Sequence, residues 1–111
     1  MEEEIIAKFR RKKLKLSVTK TNFFRRFFGL MFRTKNTGSL LFEFGRDVNF
    51  SIHSFFVFFS FLIIFLDSKN NVLNYDIIKP FSFFKPEVKY RKFIEIPLNE
   101  QNEHIINKFN S

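Results

Sequence analysis

The chain has 111 residues, a formal net charge of +8, 20 Phe, no Trp and no Cys. This length allows one domain with a single core, and a hydrophobic content of 45% argues against intrinsic disorder. The lack of cysteine excludes a disulfide framework, thiolate nucleophiles and thiolate metal sites.

The positive charge is concentrated in the N-terminal third. Residues 1–35 contain 11 Lys and Arg against three Glu, whereas residues 36–111 contain eight residues of each sign. The chain begins with Glu2, Glu3 and Glu4 and shows no basic leader followed by an apolar stretch, so a signal peptide is not predicted and a cytoplasmic location is expected.

Residues 1–13, "MEEEIIAKFRRKK", are predicted to form a basic N-terminal arm or a short helix, because acids followed by bases suit the helix dipole. The candidate anion-binding residues of this region are Lys8, Arg10, Arg11, Lys12, Lys13 and Lys15. They are consistent with weak, salt-sensitive contact to nucleic acid, with adhesion to an anionic membrane, or with a solvated arm that binds nothing.

Two elements of different period follow. In residues 14–20 apolar and polar side chains alternate, which predicts a half-buried strand with Leu14, Leu16 and Val18 inward. In residues 22–32 the apolar side chains recur with helical spacing, which predicts an amphipathic helix.

The second half of the chain is predicted to be mainly strands. Residues 39–44, 72–79 and 88–96 are each expected to form one, and in the last of these Glu95 is expected to point outward. The tail, residues 99–109, is expected to form an amphipathic helix capped by Asn99.

The apolar run "FSIHSFFVFFSFLIIFL", residues 50–66, has two interpretations. A membrane-spanning helix needs about 20 predominantly apolar residues, and this run is short and contains three Ser and one His. Its uninterrupted apolar segments, residues 55–59 and 61–66, have strand lengths, which favours two buried strands joined near Ser60 over a membrane span.

Three strings, "NFFRRFFGLMFR", "SIHSFFVFFSFLIIFLDSKNNVL" and "KPFSFFKPEVKYRKFIEIP", occur in the order and spacing of one family. Across residues 14–98 the chain resembles domain-of-unknown-function family 192, and its archaeal-type members in particular. The resemblance implies a small, compact, mainly β fold in which a short helix carries residues 29–31. It implies no reaction, substrate or cofactor.

The chain departs from this family at two places. The family usually has Pro-Leu-Asp or Pro-Ile-Asp where this chain has Ser60, Phe61 and Leu62, so an acid is replaced by Leu62. The family also commonly has a small residue and glycine where Leu98 and Asn99 stand. These departures suggest a divergent member whose ancestral site has decayed.

His53 is the residue that best suggests a small polar site, since imidazole titrates near neutrality. Together with Arg33 and Asp67 it is predicted to line a polar cleft, the alternative being a buried structural histidine. Two histidines 51 positions apart and no cysteine argue against a metal site, and no cofactor or nucleophile motif is present.

The sequence as a whole predicts an α+β, mainly β domain built as a twisted sheet or partly closed β-barrel over residues 14–111. The function predicted is that of a non-enzymatic accessory or binding protein for an unknown small ligand or protein. The alternatives are a membrane-associated protein anchored by residues 50–66 and non-specific nucleic-acid binding through residues 8–15.

Overall fold

A computed structural model describes residues 2–20 and 38–109, and its elements are mostly strands. The elements are β1 (Glu2–Phe9), β2 (Lys12–Lys20), β3 (Leu40–Val48), β4 (Ile52–His53), β5 (Phe61–Leu66), β6 (Val72–Ile78), β7 (Phe83–Phe84), β8 (Tyr90–Pro97) and α1 (Glu103–Ile106). The mainly β fold with a C-terminal helix is thereby confirmed. The predicted helix at about 22–32 lies outside the described residues.

Six strands form one curled sheet in the order β1-β2-β3-β8-β5-β6. All neighbours are antiparallel except β2 and β3. The sheet curls into a half-barrel, so that the two edge strands approach each other. The Lys8 N–H donates to the Asn70 carbonyl at 2.8 Å, and Lys8 bridges to Asn71 just before β6.

A cluster of three aromatic rings joins these edges to the C-terminal segment. Phe9 of β1 meets Tyr75 of β6 edge to face at 5.3 Å between ring centroids, and it stacks on Phe109 at 4.7 Å. Tyr75 and Phe109 are themselves 5.0 Å apart. Because the cluster draws on the first strand, the sixth strand and the tail, it fixes the curvature of the sheet.

The sheet is covered on both faces. One core fills the concave face under α1 and its flanking 3₁₀ turns, and it includes Leu14, Leu16, Val18, Leu62, Ile64, Ile94, Ile96, Ile105, Ile106 and Phe109. A second core covers the other face of β3, β8 and β5, and it includes Leu40, Phe42, Phe61, Ile63, Phe65, Tyr90 and Phe93. Strand β5 contributes alternate residues to each core, so all six of its residues are buried.

The prediction of a helix or arm for residues 1–13 is wrong for residues 2–9, which pair with β2 along their whole length. Burial of Ile5 and Ala7 between exposed neighbours shows the alternation of a strand. Arg10 and Arg11 form the turn with φ of 51° and 65°, the left-handed conformation that a two-residue hairpin requires. Neither is a residue normally chosen for such a turn, which is why the hairpin was missed.

The apolar run of residues 50–66 forms one buried strand and not two. Its second half is β5, as predicted, but residues 55–59 form a loop with Phe56 at a φ of 61°. Of the first half, only Ile52–His53 is a strand, β4, paired with β7 in a separate small sheet. Among the described residues no helix is both long and apolar enough to cross a membrane, so the predicted alternative of a helical span is not supported.

The expected outward orientation of Glu95 is also wrong. Its side chain is 6% exposed, and its neighbours across the sheet are Leu40 and Ile63, which belong to the second core. Both faces of β8 are covered, so alternation along this strand separates two cores and not core from solvent. Burial raises the pKa of the Glu95 carboxyl to about 8, and within residues 2–20 and 38–109 its Oε1 has no hydrogen-bond partner.

Candidate functional site

A cleft lies where the β1–β2 hairpin meets the C-terminal segment. It has a volume of about 690 Å³. Its described lining consists of Phe9, Arg10, Lys12, Lys13, Leu14, Asn107 and Lys108, and we call it the basic cleft. Four of these seven side chains are cationic and none is acidic, so the cleft is suited to an anion.

The hairpin turn determines where Arg10 points. Its guanidinium lies 4.8 Å from the centroid of the Phe9 ring, and its Nη2 donates to the Tyr75 hydroxyl at 3.4 Å. A cation held over an aromatic face is stabilised by the ring quadrupole. The left-handed turn and these two rings therefore hold one cation at the edge of the cleft in a defined position.

The other cations predicted to bind anions are distributed around the hairpin. Lys12 and Lys13 line the basic cleft with Arg10, and Lys8 lies directly opposite Lys13 across the strands. Arg11 is exposed in the turn. Lys15 lines a different, mixed-charge cleft of about 270 Å³, which also contains Glu4 and His104.

Sequence reasoning missed Lys108. It precedes the buried Phe109 at the end of the tail, and the stacking of Phe109 on Phe9 brings it to the hairpin. The only sequence signal was the predicted amphipathic helix, which indicated that Phe109 would be buried. The predicted cap of that helix is confirmed, since the Asn99 side chain accepts from the Asn102 N–H at 2.9 Å.

The predicted polar cleft of His53, Arg33 and Asp67 is only partly described. His53 is exposed, its Nδ1 accepts from the Phe55 N–H at 3.3 Å, and its ring lies 5.3 Å from that of Phe55. The alternative prediction of a buried histidine is therefore wrong. Arg33 lies outside the described residues. Within residues 2–20 and 38–109, no hydrogen bond or ion pair joins His53 to Asp67.

Asp67 shapes the turn between β5 and β6. Its carboxylate accepts from the Asn71 N–H at 2.9 Å, from the Asn71 side-chain amide at 2.9 Å and from the Lys69 N–H at 2.8 Å. Partial burial alone would raise the pKa of this carboxyl, but these hydrogen bonds outweigh it and the pKa lies below its ordinary value. Asp67 therefore has a structural role, which is to stabilise this turn.

The described part of the chain has no cluster of metal ligands, and position 62 carries a leucine. No group of three or more metal-ligating side chains occurs there. Leu62, which stands where the resemblance has an acid, is 1% exposed and belongs to the concave core. In this protein Leu62 therefore packs in the core.

These features define a class of protein: a small, mainly β half-barrel whose hairpin and tail enclose a basic cleft. Its sequence identifies the family. The profile of DUF192, described as "Uncharacterized ACR", matches residues 5–108, and the chain belongs to that family. The resemblance seen in the sequence is confirmed.

Curated relatives come from the archaeal genera Pyrococcus and Thermococcus and are named as UPF0127 proteins. The one from Pyrococcus furiosus is 35% identical over 78 residues, which cover 68% of this chain and 66% of the relative. The one from Pyrococcus horikoshii is 37% identical over 78 residues, covering 68% and 67%. The one from Thermococcus sibiricus is 36% identical, and there the match spans about half the length of the relative, 51%.

Two solved structures share the fold. One, from Sinorhizobium meliloti and described as a proposed transcription regulator, superposes with a TM-score of 0.76 at 15% identity, covering 94% of this chain and 84% of that one. The other, a protein of unknown function from Novosphingobium aromaticivorans, has a TM-score of 0.69 at 14% identity, covering 94% and 78%. At these identities the likeness shows the fold alone.

Proposed function

We propose that this protein is a non-enzymatic binding domain whose basic cleft holds phosphate groups of a nucleic acid. The observation that carries the proposal is the convergence of Arg10, Lys12, Lys13 and Lys108 on one cleft that has no acid among its described lining. Four cations clustered on one cleft produce a local positive potential, and phosphate is the common biological anion that such a potential attracts.

The ligand is expected to be a polyanion because the cations extend beyond the cleft. Lys8 is exposed on the outer face of β1, and Arg11 is exposed at the tip of the turn. Together with the cleft they form a continuous basic hairpin. A single small phosphate ester would occupy the cleft alone, whereas a nucleic-acid backbone presents phosphates along the whole hairpin.

One pairing within the hairpin supports the binding of an anion. Lys8 and Lys13 are direct cross-strand partners, and like charges in that relation destabilise a sheet. Their exposed side chains are repelled less when a phosphate lies between them. The arrangement therefore favours binding of anions, and it makes the hairpin without an anion less stable.

Recognition is expected to be independent of base sequence. The ring of Phe9 already contacts Phe109, Tyr75 and the Arg10 guanidinium, so it is engaged within the protein and offers no open platform for a base. Lysine contacts to phosphates position a nucleic acid without reading bases. Binding should therefore depend strongly on salt and weakly on sequence.

The test is fluorescence anisotropy with labelled single-stranded and double-stranded oligonucleotides at low and at moderate salt. Lys12→Glu combined with Lys13→Glu should weaken binding by about tenfold or more and reduce the dependence of log affinity on log salt, since about two phosphate contacts are lost. The matched control is Lys79→Glu with Lys85→Glu, which changes the net charge equally at exposed sites beyond the far end of β6.

Equal weakening by both double variants would assign binding to net charge alone and contradict a site. Absence of binding at low salt would contradict the nucleic-acid proposal outright. Inorganic phosphate that displaces the oligonucleotide at low concentration would show instead that the cleft prefers a small phosphorylated ligand.

A further inference from the structure

A second surface lies at the opposite end of β6 from the basic hairpin. The loops that follow β4 and precede β7, together with the first residue of β7, carry the phenylalanines of what we call the aromatic end: Phe55, Phe58, Phe81 and Phe83. Phe58 is 61% exposed and Phe83 is 70% exposed. An exposed ring is ordinary when isolated, but four exposed rings in two contacting pairs on neighbouring segments mark an interaction surface.

The four exposed rings form two pairs, and the two rings within each pair contact each other. Phe55 meets Phe83 edge to face at 4.9 Å, and Phe58 meets Phe81 at 5.6 Å. None of them lines the clefts described above. Their high exposure means that the rings project from the described part of the protein.

The backbone beneath the rings is rigidly held by Ser54, which is completely buried. Its hydroxyl donates to the Lys79 carbonyl at 2.6 Å and accepts from the Ser82 N–H at 2.7 Å. Its own N–H and carbonyl bond to the Ser82 carbonyl and the Phe81 N–H, at 2.8 and 2.9 Å. One serine therefore ties both aromatic loops together.

Both loops also contain a phenylalanine in a costly backbone conformation. Phe56 has a φ of 61° and Phe81 a φ of 56°, a region that bulky side chains rarely adopt. Strain of this kind persists only where the surroundings enforce it, and it concentrates at functional sites. The ring of Phe81 is exposed, so its strained backbone conformation lowers the stability of the fold while it presents this ring to solvent.

The charges around the aromatic end indicate what it meets. Lys79, Lys85 and Lys89 are exposed on the segments that flank the rings, against one exposed acid, Glu87. Projecting aromatic rings surrounded by lysines match the boundary of an anionic bilayer, where rings enter the acyl region and ammonium groups remain with the lipid phosphates. A flat protein partner would need a complementary cavity for each ring, whereas a bilayer accommodates projecting rings of any outline.

We propose that the aromatic end is a peripheral membrane-docking surface that inserts Phe58 and Phe83 into an anionic bilayer. The basic hairpin contacts the residues just before β6 and Tyr75 within it, whereas Phe81 and Phe83 follow β6 in the chain. The proposal is independent of nucleic-acid binding, because the two surfaces share no residue.

The absence of tryptophan from the chain allows a direct test. Phe83→Trp introduces one fluorophore at the aromatic end, and Phe50→Trp introduces one at an exposed phenylalanine whose ring contacts Phe44 instead. Vesicles of phosphatidylglycerol and phosphatidylcholine in equal parts should shift the emission of the Phe83→Trp protein to the blue and leave that of Phe50→Trp unchanged. Vesicles of phosphatidylcholine alone should give a weaker response.

Vesicle flotation gives the second measurement. Phe58→Ser with Phe83→Ser should lower the partition into anionic vesicles by at least about tenfold, since two rings no longer leave water, while Phe50→Ser should leave it unchanged. Lys12→Glu with Lys13→Glu should preserve the blue shift at position 83, which separates this surface from the basic cleft.

Three results would overturn the proposal. One is an unshifted emission at position 83 in a protein that binds the vesicles. Another is equal flotation of the double Ser variant and the wild type. The third is concentration-dependent dimerisation that the Ser substitutions abolish, which would assign the aromatic end to a second copy of the chain.

Discussion

The basic hairpin and the aromatic end expose different kinds of side chain to solvent. At the hairpin end, exposed positions of a regular strand ladder carry cations while apolar residues alternate inward. At the aromatic end the regular ladder is replaced by loops, and the exposed positions carry phenylalanines. Apart from the exposed Ile6, the hairpin places apolar side chains inward and polar ones outward, and the aromatic end does not.

The difference shows how local hydrogen bonding can override composition. The segment "SFFVFF", residues 54–59, has the composition of a buried strand, yet Ser54 holds it as a loop by satisfying backbone groups of residues 79–82. In the hairpin no such polar hub is present among the described contacts, and backbone pairing alone fixes the register. Each end should therefore respond to a different kind of substitution.

The largest effect is expected from Ser54→Ala. The substitution leaves the part-buried Ser82 N–H without its side-chain acceptor and removes one of the two hydroxyls that donate to the Lys79 carbonyl, at a cost of about 2–3 kcal/mol in the free energy of unfolding. Urea denaturation measures this loss. Ser51→Ala, at an exposed serine three positions earlier, is the control and should change stability by less than about 0.5 kcal/mol. Equal stabilities of the two variants would show that Ser54 does not hold the aromatic end.

Glu95 tests the sheet that the two ends share. Its pKa is raised from an ordinary value of 4.5 to about 8, so the folded state binds more protons than the unfolded state between these values. The contribution of Glu95 to the free energy of unfolding should therefore be fully present below about pH 4.5 and fall as pH rises from about 4.5 to about 8. Glu95→Leu should remove this part of the pH dependence and stabilise the protein at neutral pH by about 1–3 kcal/mol.

The measurement is urea denaturation across pH for the wild type, Glu95→Leu and Glu100→Leu, the last being an exposed acid of the tail. A Glu95→Leu protein with the wild-type pH profile would show that the carboxyl is solvated in solution. Destabilisation by Glu95→Leu at all pH values would indicate that leucine does not fit between Leu40 and Ile63.

A smaller effect is expected at the hairpin turn. Arg11 has a φ of 65°, and Arg11→Gly removes the steric cost of that conformation, so the protein should gain about 1 kcal/mol. Lys12→Gly, a matched replacement of a cation in the adjoining strand, should lose stability instead. The midpoint of thermal unfolding distinguishes the two. A loss in both variants would indicate that the turn is stabilised by the Arg11 side chain.

Alternation was sufficient to predict strands where one face or both faces are buried. Residues 14–20, 72–79 and 88–96 were expected as strands, and β2, β6 and β8 occupy them with shifts of one or two residues at their ends. The order of three short strings indicated the family, and the family profile confirms it. These signals are local or depend only on order along the chain.

The features that failed depend on contacts between distant segments. The outward orientation expected for Glu95 was wrong because a second core covers its face of the sheet. Strand β1 was missed because its turn is made by two arginines in place of Asn or Gly. Lys108 lies at the basic cleft because Phe109 stacks on Phe9, and no local sequence pattern predicts that contact.

The cluster of Phe9, Tyr75 and Phe109 has a consequence for the order of folding. The hairpin joins neighbouring segments and closes a short loop, whereas the stacking of Phe9 on Phe109 joins residues about a hundred positions apart. Closing a long loop costs more chain entropy and is repaid only once the intervening strands are in place. Closure of the half-barrel should therefore be a late event, and Phe109→Ala should accelerate unfolding while leaving the folding rate nearly unchanged. The basic cleft, which needs both the hairpin and the tail, would then be completed last.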